Sequence, residues 1–301
     1  MLKFVDFPYD FDTTSNLFLE ALSSVAADID LNNIFFIGCY PQISLLAKSN
    51  LFLKSRMSNQ GMTNWLNHQR GLSTLTKIQG KKVWVTFENR RIPFEGADLT
   101  ISFDLDSNNG KNLYFPLLFS YIDFLNTKSS YVRHNISFEE LLLPRMSLGE
   151  SLDSRDFACT FINNPDPVRL RFLNELSKFG KVDIFGRYAN NYVEDKIEVG
   201  NNYRFVICFE NDLYPGYVTE KPLEAWLSKS VPVYWGNDAG GLLNSAAIVN
   251  CSSYKSLADA AESVASLQSK PEVMEEIIKQ PLLSAKTQKP NLVGFLKQIL
   301  D

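Results

Sequence analysis

Phe205-Val206-Ile207-Cys208-Phe209 runs into Glu210-Asn211, and after five more residues comes Tyr217-Val218-Thr219-Glu220-Lys221. Two carboxylates, an amide, a phenol and an ammonium thus share one short stretch. The apolar run has the length and the aromatic and β-branched content of a strand. Pro215-Gly216 mark a tight loop. Thr219 is the expected helix N-cap, with Glu220 and Lys221 in the first turn and Pro222 early enough to be tolerated. Leu223, Trp226 and Leu227 then recur at the spacing of a buried helix face. Val231-Pro232-Val233-Tyr234-Trp235, ending at Gly236, is a second strand. In such a βαβ unit ligands collect beyond the carboxyl ends of the strands, where a helix N-terminus offers free N–H groups to an anion. Asn211, Tyr217, Glu220 and Lys221 all fall there.

The remaining elements predict the sheets that would carry this loop. Lys3–Phe7, Ile34–Gly38, Lys82–Phe87 and Leu99–Phe103 are strand-like, and a helix is expected from Asn16 to about Ala27. This alternation predicts a parallel sheet with covering helices. Ser137 to Asp156, with Pro144, Gly149 and several Ser and Asp, is expected to connect two domains. The second half restarts with the strand Phe157–Ile162. Asp166 as N-cap and Pro167 at the first helical position open a helix lined by Leu170, Leu173, Leu176 and Phe179, with Gly180 closing it. Val182–Phe185 is the next strand, ending at Gly186-Arg187. Ser252 or Ser253 is expected to cap a helix reaching about Gln268, and Asn291 to Leu300 to form a short amphipathic helix. The expected boundaries are 1–145, 146–280 and a helical tail, 281–301.

Composition narrows the function classes. The chain has 301 residues, enough for two cores, with 45% hydrophobic and 21% charged residues. A formal net charge of −4 argues against a nucleic-acid binder, which would carry a basic stripe. Cys39, Cys159, Cys208 and Cys251 form no CxxC pair, so buried free thiols in a reducing compartment are expected rather than a zinc or redox centre. The N-terminus enters a strand without a signal-peptide core, and the longest apolar stretch, near Phe115 to Leu125, is too short to span a bilayer.

The spacing Phe-Glu-Asn, five residues, Tyr-Val-Thr-Glu-Lys, followed by Val-Pro-Val-Tyr-Trp-Gly, resembles the donor-site signature of the α-1,3/1,4-fucosyltransferases. The resemblance covers roughly Val83 to Val249 and is strongest from Phe205 to Gly236. It implies an α/β protein of GT-B fold, two Rossmann-like domains with a cleft between them. It also implies an inverting transfer of L-fucose from GDP-fucose to a glycan hydroxyl, on the GlcNAc of a lactosamine-type unit or the Glc of lactose. Expected partners are therefore GDP-fucose and an oligosaccharide or glycoconjugate acceptor, of the Lewis-antigen or lipopolysaccharide kind. Vertebrate members carry an N-terminal anchor and stem. Without either, this chain looks like a bacterial cytoplasmic member, with peripheral association at the inner membrane face as a further expectation. A GT-B transferase using a different nucleotide-deoxysugar, or a nucleotide-sugar-binding protein without turnover, are the alternatives.

Inversion needs a base for the acceptor hydroxyl and positive groups for the departing diphosphate. The resemblance assigns the base to Glu88, which ends the run Lys82-Val83-Trp84-Val85-Thr86-Phe87; Arg90-Arg91 and a displaced Pro93 depart from the family pattern, and Glu95 is the fallback. His68 and His134 are the only histidines and are read as surface residues. Asp104-Leu105-Asp106 could be mistaken for a metal-binding DxD, but the resemblance implies no metal site and no required cofactor. Arg187, whose fork suits a diphosphate, and Lys221 are expected to neutralise the leaving group. Glu220 and Tyr217 resemble residues that face the fucose, with the Glu220 carboxylate able to stabilise oxocarbenium-like charge. Asn211 is expected to bond donor or loop backbone, and Glu210 to hold the loop through its N–H groups. Asn163 and Arg169 match the family's helix entry; Arg169 is either a donor contact or half of a structural ion pair.

Overall fold

A computed structural model describes residues 2–5, 7, 11–25, 33–38, 77–86, 96–145, 152–238 and 241–300. The chain divides into two compact units: residues 1–120, 127–133 and 290–301, and residues 121–126 and 134–289.

The first unit is a five-stranded parallel sheet whose strands lie side by side in chain order: β1 (Lys3–Val5), β2 (Ile34–Ile37), β3 (Lys81–Val85), β4 (Leu99–Ser102) and β5 (Asn112–Tyr114). Among the described strands the order never reverses, as within one half of a doubly wound sheet. Helix α1 (Leu17–Ser23) is capped by Asn16, whose side chain accepts from the N–H groups of Phe18 and Leu19. It buries Leu17, Phe18, Ala21 and Leu22, with the Phe18 ring stacked 5.1 Å from that of Phe36. Asn112 shows how β5 is tied in. Its buried amide accepts from Thr100 and Ser102 hydroxyls and donates to the carbonyls of Asp104 and Asp106, so all its polar atoms are engaged.

The second unit holds the short pair β6 (Ile122–Asp123) and β7 (His134–Ser137) and a second five-stranded parallel sheet. Its strands are β8 (Asp156–Phe161), β9 (Val182–Phe185), β10 (Tyr203–Phe209), β11 (Val231–Trp235) and β12 (Val249–Asn250), in the order β12-β11-β10-β8-β9. The order reverses between β8 and β10, the topological switch point at which doubly wound sheets bind ligands. Six of the seven β10 residues are buried, as a central strand covered on both faces requires. Pro232 is tolerated in β11 because β12 pairs only with Val233 and Tyr234, leaving its missing N–H without a ladder partner to lose.

Helix α2 (Pro167–Leu176) begins as expected, Asp166 accepting from the N–H groups of Val168 and Arg169. Its end differs from expectation. The helix stops at Leu176, Phe179 is exposed, and Gly180 sits where an added Cβ would lie 2.3 Å from the Phe157 ring. Close approach, not helix termination, calls for glycine there. A short α3 (Lys196–Gly200), capped by Asp195, precedes β10, and α4 (Lys221–Leu227) links β10 to β11. Helix α5 (Leu257–Ser266) is capped by Ser256, not by Ser252 or Ser253. Those two belong to a preceding 3-10 turn that Asn250 caps through the Ser252 N–H. Helix α6 (Pro271–Lys279) completes the unit, and α7 (Leu292–Lys297) packs back on α1 in the first unit. Cys159, Cys208 and Cys251 are free and buried. No helix among the described residues is long and apolar enough to cross a membrane.

Candidate functional site

Because all strands of the second sheet are parallel, β9, β8, β10 and β11 deliver their carboxyl ends to one edge, which carries Arg187, Asn163, Glu210-Asn211 and Gly236-Asn237 in that spatial order. The centre of the edge is a lock. Glu210 is 1% exposed, and its carboxylate accepts from the Thr219 N–H at 2.7 Å, the Thr219 hydroxyl at 2.8 Å and the Lys221 ammonium at 2.8 Å. Its own N–H donates to the Trp235 carbonyl, and the Gly216 N–H to that of Asn237. Thus β10, the loop and β11 are held together, and Glu210 is the loop-holding residue the sequence suggested.

The same contacts correct the expected cap. Helix α4 starts one residue later than expected, with Glu220 at the cap position and no side-chain cap bond of its own, while the Thr219 hydroxyl donates to Glu210 and accepts from the Lys221 N–H only at a long 3.5 Å.

Burial works against the Lys221 ammonium, yet the adjacent Glu210 and Glu220 carboxylates hold it above its ordinary value. Burial likewise pushes the Glu210 carboxyl up, opposed by Lys221 and by the Thr219 N–H. The ammonium gives protons to Glu210 and, at 3.2 Å, to the Thr219 hydroxyl. One of its three protons remains for a ligand, on a side chain still 22% exposed.

Arg169 resolves differently. It is buried, its Nη2 donating to the Phe209 carbonyl at 2.7 Å and to Asn211 Oδ1 at 3.3 Å. Burial lowers its affinity for the proton while Asp166 and Glu210 raise it. It therefore ties the start of α2 to the end of β10 across the switch point and orients the exposed Asn211 amide. Tyr217 is 1% exposed and packed inside the unit, whereas Glu220 is half-buried at the start of α4. Asn163 and Arg187 are exposed and linked: the Arg187 N–H donates to Asn163 Oδ1, and the guanidinium makes one long bond, 3.3 Å, to Asn164. Most of its donor fork is open.

Behind the edge, Lys196 pairs with the largely buried Glu224 at 2.9 Å, joining α3 to α4; burial raises the Glu224 carboxyl despite that partner. The sequence reading missed this pair and Asn164, since neither has a local signature. Glu88, Glu95 and His68 lie outside the described residues. His134 starts β7, its N–H bonded to the Tyr121 carbonyl. Asp104 is buried, and Asp106 turns its carboxylate onto the Asn108 N–H at 2.8 Å. Among the described residues no three His, Cys, Asp or Glu side chains gather as metal ligands.

Residues 154–278, which contain this entire edge, match the family described as glycosyltransferase family 10 (fucosyltransferase) C-term. That match takes in about two fifths of the chain. Over 209 residues the chain is 28% identical to the alpha-(1,3)-fucosyltransferase FucT of Helicobacter pylori, an alignment covering 62% of this chain and 44% of that protein. Over 75 residues it is 39% identical to human 4-galactosyl-N-acetylglucosaminide 3-alpha-L-fucosyltransferase 9, covering 24% and 21%. It thus spans less than half the length of these curated relatives. A solved alpha1,3-fucosyltransferase with GDP-fucose superposes with a TM-score of 0.68 at 20% identity, covering all of this chain and 90% of that one. A second solved structure, of an alpha1,3-fucosyltransferase, gives 0.69 at 20% identity over 99% and 89%. The chain shares the GT-B fold of these solved structures.

Proposed function

We propose that this chain transfers L-fucose from GDP-fucose to a glycan hydroxyl in α-1,3/1,4 linkage, with inversion at the anomeric carbon. The observation that carries the proposal is the Glu210–Thr219–Lys221 lock at the switch point, with Asn211 and Arg187 open along the same edge of the family 10 domain. A nucleoside diphosphate laid there meets a free proton of Lys221 and the Arg187 fork, charge-assisted donors matched to phosphate oxygens. As the acceptor oxygen bonds to the sugar's C1 and the bond from C1 to the diphosphate oxygen breaks, negative charge builds on GDP and these cations stabilise it. Glu220, beside them, can face positive charge developing on the ring. Glu88 takes the acceptor proton. The acceptor is a lactosamine-type GlcNAc or the Glc of lactose.

GDP release from GDP-fucose in the presence of lactose, N-acetyllactosamine or its β1,3 isomer tests the activity. Turnover with GDP-mannose but not GDP-fucose would reassign the donor, and GDP-fucose binding without release would make the chain a binding protein. Arg187→Ala is the cleaner mutation of the two cations, because removing Lys221 also strands the buried Glu210. It is expected to weaken GDP-fucose binding by about 1.5–3 kcal/mol, the range for a lost charged hydrogen bond. Unchanged affinity by calorimetry removes Arg187 from the site.

Arg187 and Lys221 can neutralise the leaving diphosphate without a divalent ion, so we expect turnover to survive EDTA. Complete loss, restored by Mn²⁺, would instead return Asp104-Leu105-Asp106 to the mechanism.

A further inference from the structure

The loop leaving β9 presents two aromatic rings for which packing has no use. Tyr188 is 46% and Tyr192 is 85% exposed, and among the described residues the third strongly exposed aromatic, Phe179, lies before the other end of β9. Exposure of this kind on an unconstrained loop would mean little. This loop is constrained. Gly186, at φ +96°, exchanges backbone hydrogen bonds with Asn191 at 2.6 and 3.2 Å, closing residues 187–190 into a tight bend. The bend is fastened to the end of β8: the Tyr188 N–H donates to the Ile162 carbonyl at 3.0 Å and the Arg187 N–H to Asn163 Oδ1 at 3.2 Å. A Cβ at Gly186 would stand 2.6 Å from the Ile162 carbonyl oxygen, so the approach itself depends on glycine. Asp195 then caps α3 and fixes the far end.

We propose that Tyr188 and Tyr192 form the stacking platform for the nucleobase of the donor. The inference rests on the nucleotide-sugar reading above and adds the part of the ligand that Lys221 and Arg187 do not address. Adjacent strands are about 4.8 Å apart, so the end of β9 lies roughly 10 Å from the end of β10, with β8 between them. A diphosphate held between Lys221 and Arg187 directs its nucleoside toward the β9 side, where an aromatic face offers a base the stacking it loses with water. Such stacking tolerates any base; it sets affinity rather than choice of nucleotide.

Calorimetric titration of the full chain with GDP and with inorganic pyrophosphate tests the platform. The double variant Tyr188→Ala/Tyr192→Ala is expected to lose about 5- to 100-fold in GDP affinity, with pyrophosphate affinity unchanged. Tyr188→Phe/Tyr192→Phe retains GDP binding, and Phe179→Ala, at the opposite end of β9, leaves both ligands unaffected. Thermal melting at the wild-type temperature shows that the fold is intact. GDP affinity within twofold of wild type in the double alanine variant overturns the platform. A raised KM for the glycan acceptor at unchanged GDP affinity also overturns it, assigning the rings to the acceptor instead. Wild-type protein that binds pyrophosphate but not GDP removes the platform while leaving the anion site. Absence of binding to either ligand removes the nucleotide-sugar reading itself, and the platform with it.

Discussion

Glu88→Gln is expected to lower kcat by roughly 10²–10⁴-fold, the usual share of a general base, while GDP-fucose affinity stays at the wild-type value. The amide matches the carboxylate in size but cannot take a proton from the acceptor, and the cations proposed to hold the donor, Arg187 and Lys221, lie in the second half of the chain. Stopped-flow or coupled measurement of GDP release, paired with donor calorimetry, separates the two effects. Near-normal kcat would move the base to Glu95 or another carboxylate. Lost donor binding at normal kcat would put Glu88 against the nucleotide. The same selective kcat defect in His68→Asn or His134→Asn would assign the proton to a histidine.

Glu210→Ala should produce the largest loss of stability of any single change at the candidate site, about 3–5 kcal/mol, because removing one partner of a buried pair leaves the other uncompensated. Here the stranded groups are the Lys221 ammonium and the Thr219 N–H and hydroxyl. Glu210→Gln keeps a carbonyl for Thr219 and loses only the charge, so its loss should be clearly smaller. Urea unfolding of both variants gives the comparison. Equal losses would mean that shape and hydrogen bonding, not the charge pairing, hold the loop. A wild-type midpoint in Glu210→Ala would mean that the lock contributes nothing to stability.

What could be read from the residues was local. Asp166-Pro167 carries its own cap and its own φ constraint, so the start of α2 was legible to the residue. Phe205–Phe209 and Val231–Trp235 announced two strands through continuous apolar content, and both are central in their sheet. The errors arose where a distant partner changed the outcome. Thr219 has the right chemistry for a cap but meets a carboxylate nine positions back. Ser252 and Ser253 have cap chemistry, but nothing nearby reveals that Asn250 first turns the chain once and hands the role to Ser256. Arg169 left two readings open in the sequence; in the fold it is buried against the Phe209 carbonyl and Asn211, forty and forty-two positions away. The order β12-β11-β10-β8-β9, and with it the place where strand order reverses, is a property of pairing that no single segment encodes.

The return of α7 to α1 has a consequence for biosynthesis. Leu292, Phe295, Leu296 and Ile299 are buried, and they complete a unit whose sheet is already translated by Tyr114. At roughly 5–20 residues per second, about 9–36 s of elongation separates that sheet from the helix Leu292–Lys297. During that interval the nascent first unit presents to the chaperone-rich surroundings of the ribosome the apolar face of α1 that α7 will later cover. The second unit's sheet, encoded without interruption from Asp156 to Asn250, has no such wait. The later-made half can therefore reach its native packing first, reversing the customary order of domain maturation.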